Sequence, residues 1–240
     1  MKDFDAVIKA ALKEDIGSGD VTTRFFVPLG SRFYGEMRAK DNGVLCGLQV
    51  AARVFELAAR GSRVKFAKKD GDRIKNGDVL MKIEGPASIL TAERTALNFL
   101  QHMSGVATRA ALFASVIKHQ RTKIYDTRKT LPGLRMVEKY AVRCGGARNH
   151  RLGLYDMAMI KDNHVAFAGG DPAVLAGRIK AMRRAKPGLK IEIEAQDLAQ
   201  VKAFLPLGAD VLMLDNMDLA AMKKAIAVIR SYKGKKPEVE

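Results

Sequence analysis

The chain has 240 residues, enough for one large domain or two modest ones with a buried core. Its 42 basic and 26 acidic residues give a formal net charge of +16, which calls for polyanionic partners, an unusually basic surface, or both. No apolar run approaches the roughly 18 residues of a membrane-spanning helix, and acidic residues interrupt the N-terminal apolar positions, which is unlike a signal peptide.

The first part of the chain predicts a small α/β domain. Residues 1–17 have the pattern of an amphipathic helix, and two β-rich pieces with turn residues, 32–47 and 62–86, predict a small antiparallel sheet. A long helical pattern follows from Ile89 to Lys118. We expect these elements to form a domain of residues 1–105.

The two cysteines, Cys46 and Cys144, lie far apart in the sequence and form no CxxC pair. This spacing suggests neither a disulfide framework nor a zinc site. A reducing cytoplasm is the compartment that fits this composition.

From Thr122 onward, short apolar runs alternate with helical patterns, which predicts βα units on a parallel sheet in residues 106–240. The predicted strands are KIYDTRK, MAMIKDN, LKIEIEA and VLMLDN. About half of the roughly 250 residues of a complete eight-unit barrel are present. We therefore expect an open sheet or an incomplete barrel whose C-terminal part is missing, with the final KKPEVE as the opening of a fifth strand.

Each predicted strand ends in charged residues, and parallel strands bring their carboxyl ends to one face. The sequence therefore predicts a functional site at that face, although such charges could also simply mark where strands meet solvent. The residues concerned are Asp126, Arg128 and Lys129 on the first strand, Lys161 and Asp162 on the second, Glu192 and Glu194 on the third, and Asp215 on the fourth.

The basic residues of this predicted site favour anion binding over metal binding. His150 and His164 flank an apolar run without a cysteine or an HExxH pattern, so a zinc site is not indicated. Arg151 offers a planar fork for carboxylate or phosphate, and Lys161 offers a point charge. The alternatives are a solvated basic loop at residues 127–130 and a structural role for His150.

The acidic residues Glu194 and Asp215 end neighbouring predicted strands. They could accept hydrogen bonds from sugar hydroxyls, hold Mg²⁺ or stabilise a developing cation. The alternative is plain ion pairing with Lys161.

Several long motifs resemble the quinolinate phosphoribosyltransferase family: ALKEDIGSGDVTT, AERTALNFLQHMSGVAT, DTRKTLPGLRMVEKYAV, GGARNHRLGLYDMAMIKDNH, IEIEA and VLMLDN. The resemblance implies an α/β fold in which an N-terminal α/β sandwich precedes an incomplete, TIM-like parallel α/β barrel. It also implies the reaction of quinolinate with phosphoribosyl pyrophosphate and Mg²⁺, which gives nicotinate mononucleotide, pyrophosphate and carbon dioxide in NAD biosynthesis.

The resemblance further implies a homodimer, or a larger assembly of dimers, in which Arg94 reaches the neighbouring site. Carried over by motif, the other site residues are Thr127, Arg128, Lys129, His150, Arg151, Lys161, Glu194 and Asp215. We expect these basic groups to meet in one pocket, opposed by Glu194 and Asp215. Members of the family continue past EVE into a serine-glycine-glycine turn that binds the donor phosphate, whereas this sequence stops there.

Two alternatives remain at this point. A molybdenum-transport-associated family shares the fold and much of the TRKT and HR pattern, but Lys161 within KDNH favours the quinolinate family. A basic nucleic-acid-binding protein would account for the net charge. However, aromatic residues make up only 6% of the chain and no nucleic-acid motif is recognisable, so we expect no specific nucleic-acid partner.

Overall fold

The computed structural model describes residues 4–117 and 121–240. The chain separates into two units, Met1–His150 and Arg151–Glu240, and each is a mixture of helices and strands. The predicted α/β class is therefore confirmed. The predicted division after residue 105 falls inside a long helix, and these domain limits stay a prediction. Within the described residues, no helix is both long and apolar enough to cross a bilayer.

The first unit begins with helices and contains two small antiparallel sheets, with strand orders β1-β5-β3 and β2-β4. Its elements are α1 (Asp5–Ile16), α2 (Val21–Phe26), β1 (Arg32–Arg38), β2 (Gly43–Val44), α3 (Leu48–Ala58), β3 (Arg63–Phe66), β4 (Arg73–Ile74), β5 (Val79–Pro86), α4 (Ser88–Val116) and α5 (Arg135–Cys144). The predicted antiparallel sheet is confirmed, and the predicted long helix corresponds to α4. Lys118, its predicted last residue, lies outside the described residues.

Apolar residues at helical spacing explain how α3 and α4 build the first core. On α4, Ala92, Ala96, Phe99 and Met103 recur every three to four residues and are all buried. This spacing places them on one stripe of the helix. They share one hydrophobic cluster with buried residues of α3 and of β5, including Val54, Phe55, Met81 and Ile83.

The amino end of α3 is capped by a residue that is distant in sequence. Gly47 precedes the helix with a φ of +105°, in the left-handed region, and it has no side chain to accept the first N–H groups. Asp70 supplies the acceptor that Gly47 lacks: the Asp70 Oδ1 accepts from the N–H groups of Gly47 and Leu48, each at 3.0 Å. Asp70 therefore ties the turn before β4 to the start of α3.

The second unit contains one parallel sheet of order β6-β7-β8-β9 with connecting helices. Its elements are β6 (Ala158–Ile160), α6 (Asp162–Phe167), α7 (Pro172–Ala185), β7 (Ile191–Ala195), α8 (Leu198–Phe204), a 3-10 turn (Leu205–Leu207), β8 (Val211–Leu214), α9 (Leu219–Ser231) and β9 (Glu238–Val239). Ile191 and Ile193 of β7 join the core that includes buried residues of α7, α8 and α9. Glu192 and Glu194 alternate with them on the other face of the strand.

Three of the four predicted parallel strands are confirmed as β6, β7 and β8, and the predicted fifth strand at the chain end is confirmed as β9. The strand predicted at KIYDTRK is wrong. Within the described residues it makes only an isolated parallel bridge between Tyr125 and Arg148. The reason is local: Thr127 Oγ1 accepts from the Lys129 N–H at 3.0 Å, and such side-chain bonds compete with a strand ladder.

Asp210, the residue before β8, accepts a hydrogen bond from the first residue of β7 and so links the two strands. Its Oδ2 accepts from the Ile191 N–H and from Arg183, each at 3.0 Å, and Oδ1 accepts from Lys235 at 3.2 Å. Burial alone would raise the pKa of Asp210, but these donors outweigh it and hold the pKa below its usual value.

We expect Asp210→Asn to lower the free energy of unfolding by about 1–3 kcal/mol at pH 7, because a carboxylate with three donors is lost. A lowered native pKa stabilises the fold above the unfolded-state pKa and loses that effect as the pH falls through the native value. The difference from wild type should therefore shrink towards pH 3. Urea unfolding followed by circular dichroism at both pH values measures it, and equal midpoints at pH 7 would contradict the assignment.

Candidate active site

A buried ion pair organises the irregular segments of the first unit. Lys139 of α5 is only 2% exposed, and its Nζ donates to Asp126 Oδ1 at 2.5 Å and to the His150 carbonyl at 3.2 Å. The pair joins α5 to residues 124–126 and 148–150. Because neither segment belongs to a helix or a multi-residue strand, these contacts determine where both segments lie.

Asp126 also accepts hydrogen bonds from Asn149 and His150, the last two residues of this unit. Its Oδ1 accepts from the His150 N–H at 2.8 Å, and its Oδ2 accepts from Asn149 Nδ2 at 2.7 Å. The Asp126 N–H donates in turn to the Arg148 carbonyl at 3.0 Å. This network places His150 beside the segment that continues into Thr127, and the His150 ring lies edge-on to Tyr125 with centroids 6.2 Å apart.

The predicted TRKT loop follows directly from this network. Arg135 of α5 donates to Thr130 Oγ1 at 3.1 Å and to the Arg128 carbonyl at 3.5 Å. Thr127 and Lys129 are exposed, whereas the Arg128 Nε is buried and has no hydrogen-bond partner within residues 4–117 and 121–240. Buried N–H donors in proteins are almost always satisfied, so this guanidinium fits a position that an anionic ligand completes.

Arg94 lies on the exposed side of α4, between the buried Ala92 and the buried Thr95. One turn earlier, Thr91 Oγ1 donates to Asp20 at 2.9 Å, and Asp20 caps the amino end of α2. Arg94 therefore stands near the start of α2.

In the second unit, Lys161 and Glu194 form an ion pair. Lys161 follows β6 and its Nζ donates to Glu194 Oε1 of β7 at 2.5 Å. The acid is nearly buried, with a side chain 10% exposed, whereas the Lys161 side chain is 44% exposed. The alternative that Glu194 pairs with Lys161 is confirmed, and the pair leaves the lysine open to solvent.

Glu192 shares the Glu194 face of β7 and is fully buried. The pKa of Glu192 is raised to about 7: burial is the largest cause, the charges of Glu240 and Glu194 add to it, and Arg151 and Lys161 oppose it. The sequence placed Glu192 at a strand end but did not select it as a site residue. Its alternation with Ile191 and Ile193 was the available signal.

The remaining predicted residues lie at the edges of this sheet. Arg151 donates to the Met157 carbonyl at 3.3 Å and contacts Met159 Sδ at 3.2 Å. Asp215 follows β8, where its N–H donates to the Ala195 carbonyl at 2.9 Å and its Oδ2 accepts from Asn216 at 3.2 Å. The His164 Nδ1 accepts from the Lys161 N–H at 2.9 Å, so this histidine caps α6.

The structure thus brings the predicted residues together in two sets. Asp126 and Lys139 link the first set, Thr127, Arg128, Lys129 and His150. The sequence placed Asp126 only among the charged residues at strand ends, and it did not single out Lys139. The second unit holds Arg151, Lys161, Glu194 and Asp215 at or beside the strand ends. That the two sets share one pocket stays a prediction.

Two family models account for almost the whole chain. The model for the N-terminal domain of quinolinate phosphoribosyl transferase matches residues 20–104, and the model for the C-terminal domain matches residues 106–240. The chain belongs to the quinolinate phosphoribosyltransferase family. The predicted family and the predicted class of enzyme, a phosphoribosyltransferase, are therefore confirmed, and the match favours them over the molybdenum-transport and nucleic-acid alternatives.

Individual relatives of the chain carry names that agree with this family assignment. A Mycobacterium leprae nicotinate-nucleotide pyrophosphorylase [carboxylating] is 42% identical over 231 residues, which cover 93% of this chain and 80% of the relative. A probable enzyme of the same name from Bacillus subtilis is 42% identical over 204 residues, with coverages of 85% and 69%. The crystal structure of NadC from Streptococcus pyogenes superposes with a TM-score of 0.91 at 39% identity, over 99% of this chain and 82% of that one.

The contribution of the Lys139–Asp126 ion pair to the free energy of unfolding can be measured with single and double variants. Removing one partner leaves the other charge buried, so Lys139→Met and Asp126→Asn should each lower the free energy of unfolding by roughly 3–5 kcal/mol. The double variant should cost much less than the sum of the two, because the partners interact directly.

Urea unfolding followed by circular dichroism suits a chain without tryptophan. Lys123→Met, at an exposed lysine of the same unit, is the control and should change stability by less than about 0.5 kcal/mol. Additive costs in the double variant would show that Lys139 and Asp126 act independently.

Proposed function

We propose that this chain transfers the phosphoribosyl group of phosphoribosyl pyrophosphate to quinolinate, with formation of nicotinate mononucleotide, pyrophosphate and carbon dioxide. The observation that carries the proposal is the match to both domain models of the family in a chain whose loops and strand ends present the predicted cations. Its relatives carry the names of enzymes of this reaction.

The charge of the substrates explains the need for these cations. Quinolinate has two carboxylates, and the donor has a phosphate and a pyrophosphate. A cation about 4 Å from such a group contributes roughly 4 kcal/mol of attraction at the effective dielectric of a partly exposed site. We assign Arg94, Arg128, His150 and Arg151 to the quinolinate carboxylates, and the buried Nε donor of Arg128 supports its part of this assignment.

Lys129 and Lys161 orient both substrates, and Thr127 offers its hydroxyl and backbone to an oxyanion. The geometry around Lys161 supports its role: the nearly buried Glu194 fixes the direction of its side chain, while the exposed part of Lys161 stays accessible to substrate. An ammonium held in this way needs little reorganisation when pyrophosphate accumulates charge.

The chemistry follows from the charges. Departure of pyrophosphate with the bonding electron pair leaves positive charge at the anomeric carbon, and the lone pair of the pyridine nitrogen forms the new bond. Glu194 and Asp215 accept hydrogen bonds from the ribose hydroxyls and hold the sugar in line with both groups. The alkylated ring then accepts electrons, so the adjacent carboxylate leaves as carbon dioxide, and the ring carbon takes a proton.

We propose Mg²⁺ as the cofactor, held through water by Glu194 and Asp215. Carboxylate oxygens suit this hard cation, which retains several waters when it binds proteins. Glu194 Oε1 already accepts from Lys161, which favours contact through water over direct ligation. When bound, the ion neutralises charge on the pyrophosphate group.

The proposed assembly is a homodimer, or a larger assembly of dimers, in which Arg94 completes the partner's site. An exposed apolar patch at and after α2, formed by Val21, Phe25, Phe26 and Leu29, supports it. Patches of this kind mark interaction surfaces. Because Asp20 at the start of α2 is bound to Thr91, the patch and Arg94 belong to connected parts of the same unit. We propose the cytoplasm as the compartment, as expected from the cysteine content.

Two substitutions test the site. Arg151→Ala and Lys161→Ala should each lower kcat/KM by on the order of 100-fold or more, because each removes a cation that attracts the anionic substrates. The measurement is formation of nicotinate mononucleotide from quinolinate, phosphoribosyl pyrophosphate and Mg²⁺. Arg178→Ala and Lys180→Ala, at exposed positions of α7, are the matched controls and should retain wild-type rates.

Unchanged rates in both site variants, with circular dichroism spectra like wild type, would reject the assignment of these residues. A wild-type protein that forms no nicotinate mononucleotide, but binds random oligonucleotides in a salt-dependent manner, would reject the proposed function itself.

A mixing experiment tests the role of Arg94 across the dimer. Arg94→Ala and Lys161→Ala should each be nearly inactive alone. If Arg94 serves the partner's site, a mixed dimer contains one site with both Arg94 and Lys161 intact. Random exchange of equal amounts should then restore about a quarter of the wild-type rate, because about half of the dimers are mixed and each has one competent site.

No recovery after subunit exchange, verified by native mass spectrometry of the mixed dimers, would place Arg94 in the site of its own chain. Mixing Arg94→Ala with Arg178→Ala gives the reference, since that mixed dimer also contains one intact site.

A further inference from the structure

Two cysteines that are far apart in the sequence meet inside the first unit. The sulfur atoms of Cys46 and Cys144 and a carboxylate oxygen of Asp70 all lie within 4.8 Å of one another. The sequence spacing suggested neither a disulfide nor a metal site, and it gave no sign that these two free thiols lie side by side. None of these residues belongs to the site proposed for phosphoribosyl transfer.

The backbone on the Cys46 side is held firmly. Cys46 is fully buried, its N–H donates to Ser104 Oγ of α4 at 3.0 Å, and the same hydroxyl donates back to the Cys46 carbonyl at 3.1 Å. Asp70 then holds the two following N–H groups, at Gly47 and Leu48. These hydrogen bonds therefore hold the backbone that carries the Cys46 thiol in place.

The Cys144 side is equally constrained. Cys144 is the last residue of α5 and is partly exposed. The next residue, Gly145, packs so closely on α4 that an added Cβ would collide with the Ala107 carbonyl, and the Cys144 carbonyl lies against Gly71. The end of α5 therefore packs between α4 and the Asp70 turn, with its Cys144 sulfur within 4.8 Å of the Cys46 sulfur.

The surroundings favour thiol chemistry over metal binding. Both Asp70 oxygens are engaged: Oδ1 caps α3, and Oδ2 accepts from the Tyr140 hydroxyl at 2.9 Å. A metal ion would have to compete with these donors for its only oxygen ligand in the cluster. The two sulfurs already lie within 4.8 Å of each other, and a disulfide requires them to approach to about 2.05 Å.

The two thiols differ in acidity. Hydrogen bonding from Cys46 lowers the pKa of Cys144, and the Tyr140 hydroxyl and the Arg143 charge act in the same direction, against burial and the charge of Asp70. The same hydrogen bond, together with burial, raises the pKa of Cys46. Cys144, the less buried of the two residues, therefore has the better nucleophile, and the Cys46 thiol retains its proton.

We propose that Cys144 and Cys46 form a peroxide-sensitive, reversible disulfide, in which Cys144 reacts with a hydroperoxide and Cys46 resolves the product. The Cys144 thiolate attacks the peroxide O–O bond and becomes a sulfenic acid, while the hydroperoxide is reduced to an alcohol, or to water for hydrogen peroxide. The Cys46 sulfur then attacks the sulfenic sulfur, and the hydroxyl leaves with the Cys46 proton as water. A thiol reductant reverses the reaction.

The disulfide would join the end of α5 to Cys46, two residues before the start of α3. Because it closes a long loop of the chain, it restricts the unfolded state strongly. It would also hold α5, which contains Lys139, against the rest of the unit. The oxidised protein should therefore unfold at a temperature roughly 5–15 °C higher than the reduced protein.

The test uses the full chain and hydrogen peroxide at a small molar excess. After free thiols are blocked with iodoacetamide, trypsin should release residues 41–53 linked to residues 144–148, with two hydrogen atoms lost. Dithiothreitol should separate the peptides and return the unfolding temperature to its starting value. This readout needs no substrate, so its failure is distinguishable from failure of the proposed transferase activity.

Variants separate the roles of the two sulfurs. Cys46→Ser should accumulate a Cys144 sulfenic acid that dimedone traps, whereas Cys144→Ser should leave Cys46 unmodified. If Cys46→Ser fails to fold, Cys46→Ala and the wild-type peptide map still test the proposal. Tyr140→Phe should form the same disulfide several-fold more slowly, because Asp70 loses the hydroxyl that donates to its Oδ2 and its charge then opposes the Cys144 thiolate more strongly.

Two results would overturn the proposal. One is a wild-type protein whose two thiols both remain alkylatable after peroxide treatment, or whose Cys144 advances to sulfinic acid without linkage to Cys46. The other is tight Zn²⁺ binding that protects both thiols from iodoacetamide and is lost in Asp70→Asn, which would identify the cluster as a metal site instead.

Discussion

The first unit depends on a lysine and an aspartate that neutralise each other in its interior. Lys139 and Asp126 are both almost inaccessible, and together they fix two irregular segments that end in Thr127–Lys129 and in His150. A buried pair of this kind gives little net stability, because desolvation offsets much of its Coulomb energy. Its contribution here is geometric: the donors and acceptors of three segments have one arrangement that satisfies them all.

In the second unit, successive side chains of β7 alternate between the apolar core and an acidic face. Ile191 and Ile193 of β7 face the helices, while Glu192 and Glu194 lie on the opposite face. Their environments differ although they are two residues apart. Glu194 is neutralised by Lys161, whereas burial keeps the pKa of Glu192 near 7. One short strand thus supplies an acid paired with a lysine and an acid whose pKa lies near neutral pH.

The cysteine cluster also depends on contacts between residues that are distant in sequence. Asp70 substitutes for the missing side chain of Gly47 at the start of α3, and in doing so it brings the turn before β4 next to the end of α5. Asp70 therefore contacts both the residues that follow Cys46 and Tyr140 of the helix that ends in Cys144.

Local patterns predicted the regular elements well. The three-to-four-residue spacing of apolar side chains in α4 and the apolar runs of β6, β7 and β8 are signals that depend only on neighbouring residues. The run at residues 123–129 was misread as a strand because its apolar start resembles the others. Its polar end instead satisfies its donors through side chains, Asp126 to Lys139 and Thr127 to the Lys129 backbone.

The sequence by itself determined the family, through long motifs, and the identity of the cations and acids that follow its strands. Only the tertiary structure decided that Lys139 pairs with Asp126, that Lys161 pairs with Glu194, and that Cys46 lies beside Cys144. The physical reason is that periodicity and capping act over a few residues. The partner of a buried charge or thiol is chosen by how distant elements pack, and composition or spacing along the chain does not encode that choice in a readable form.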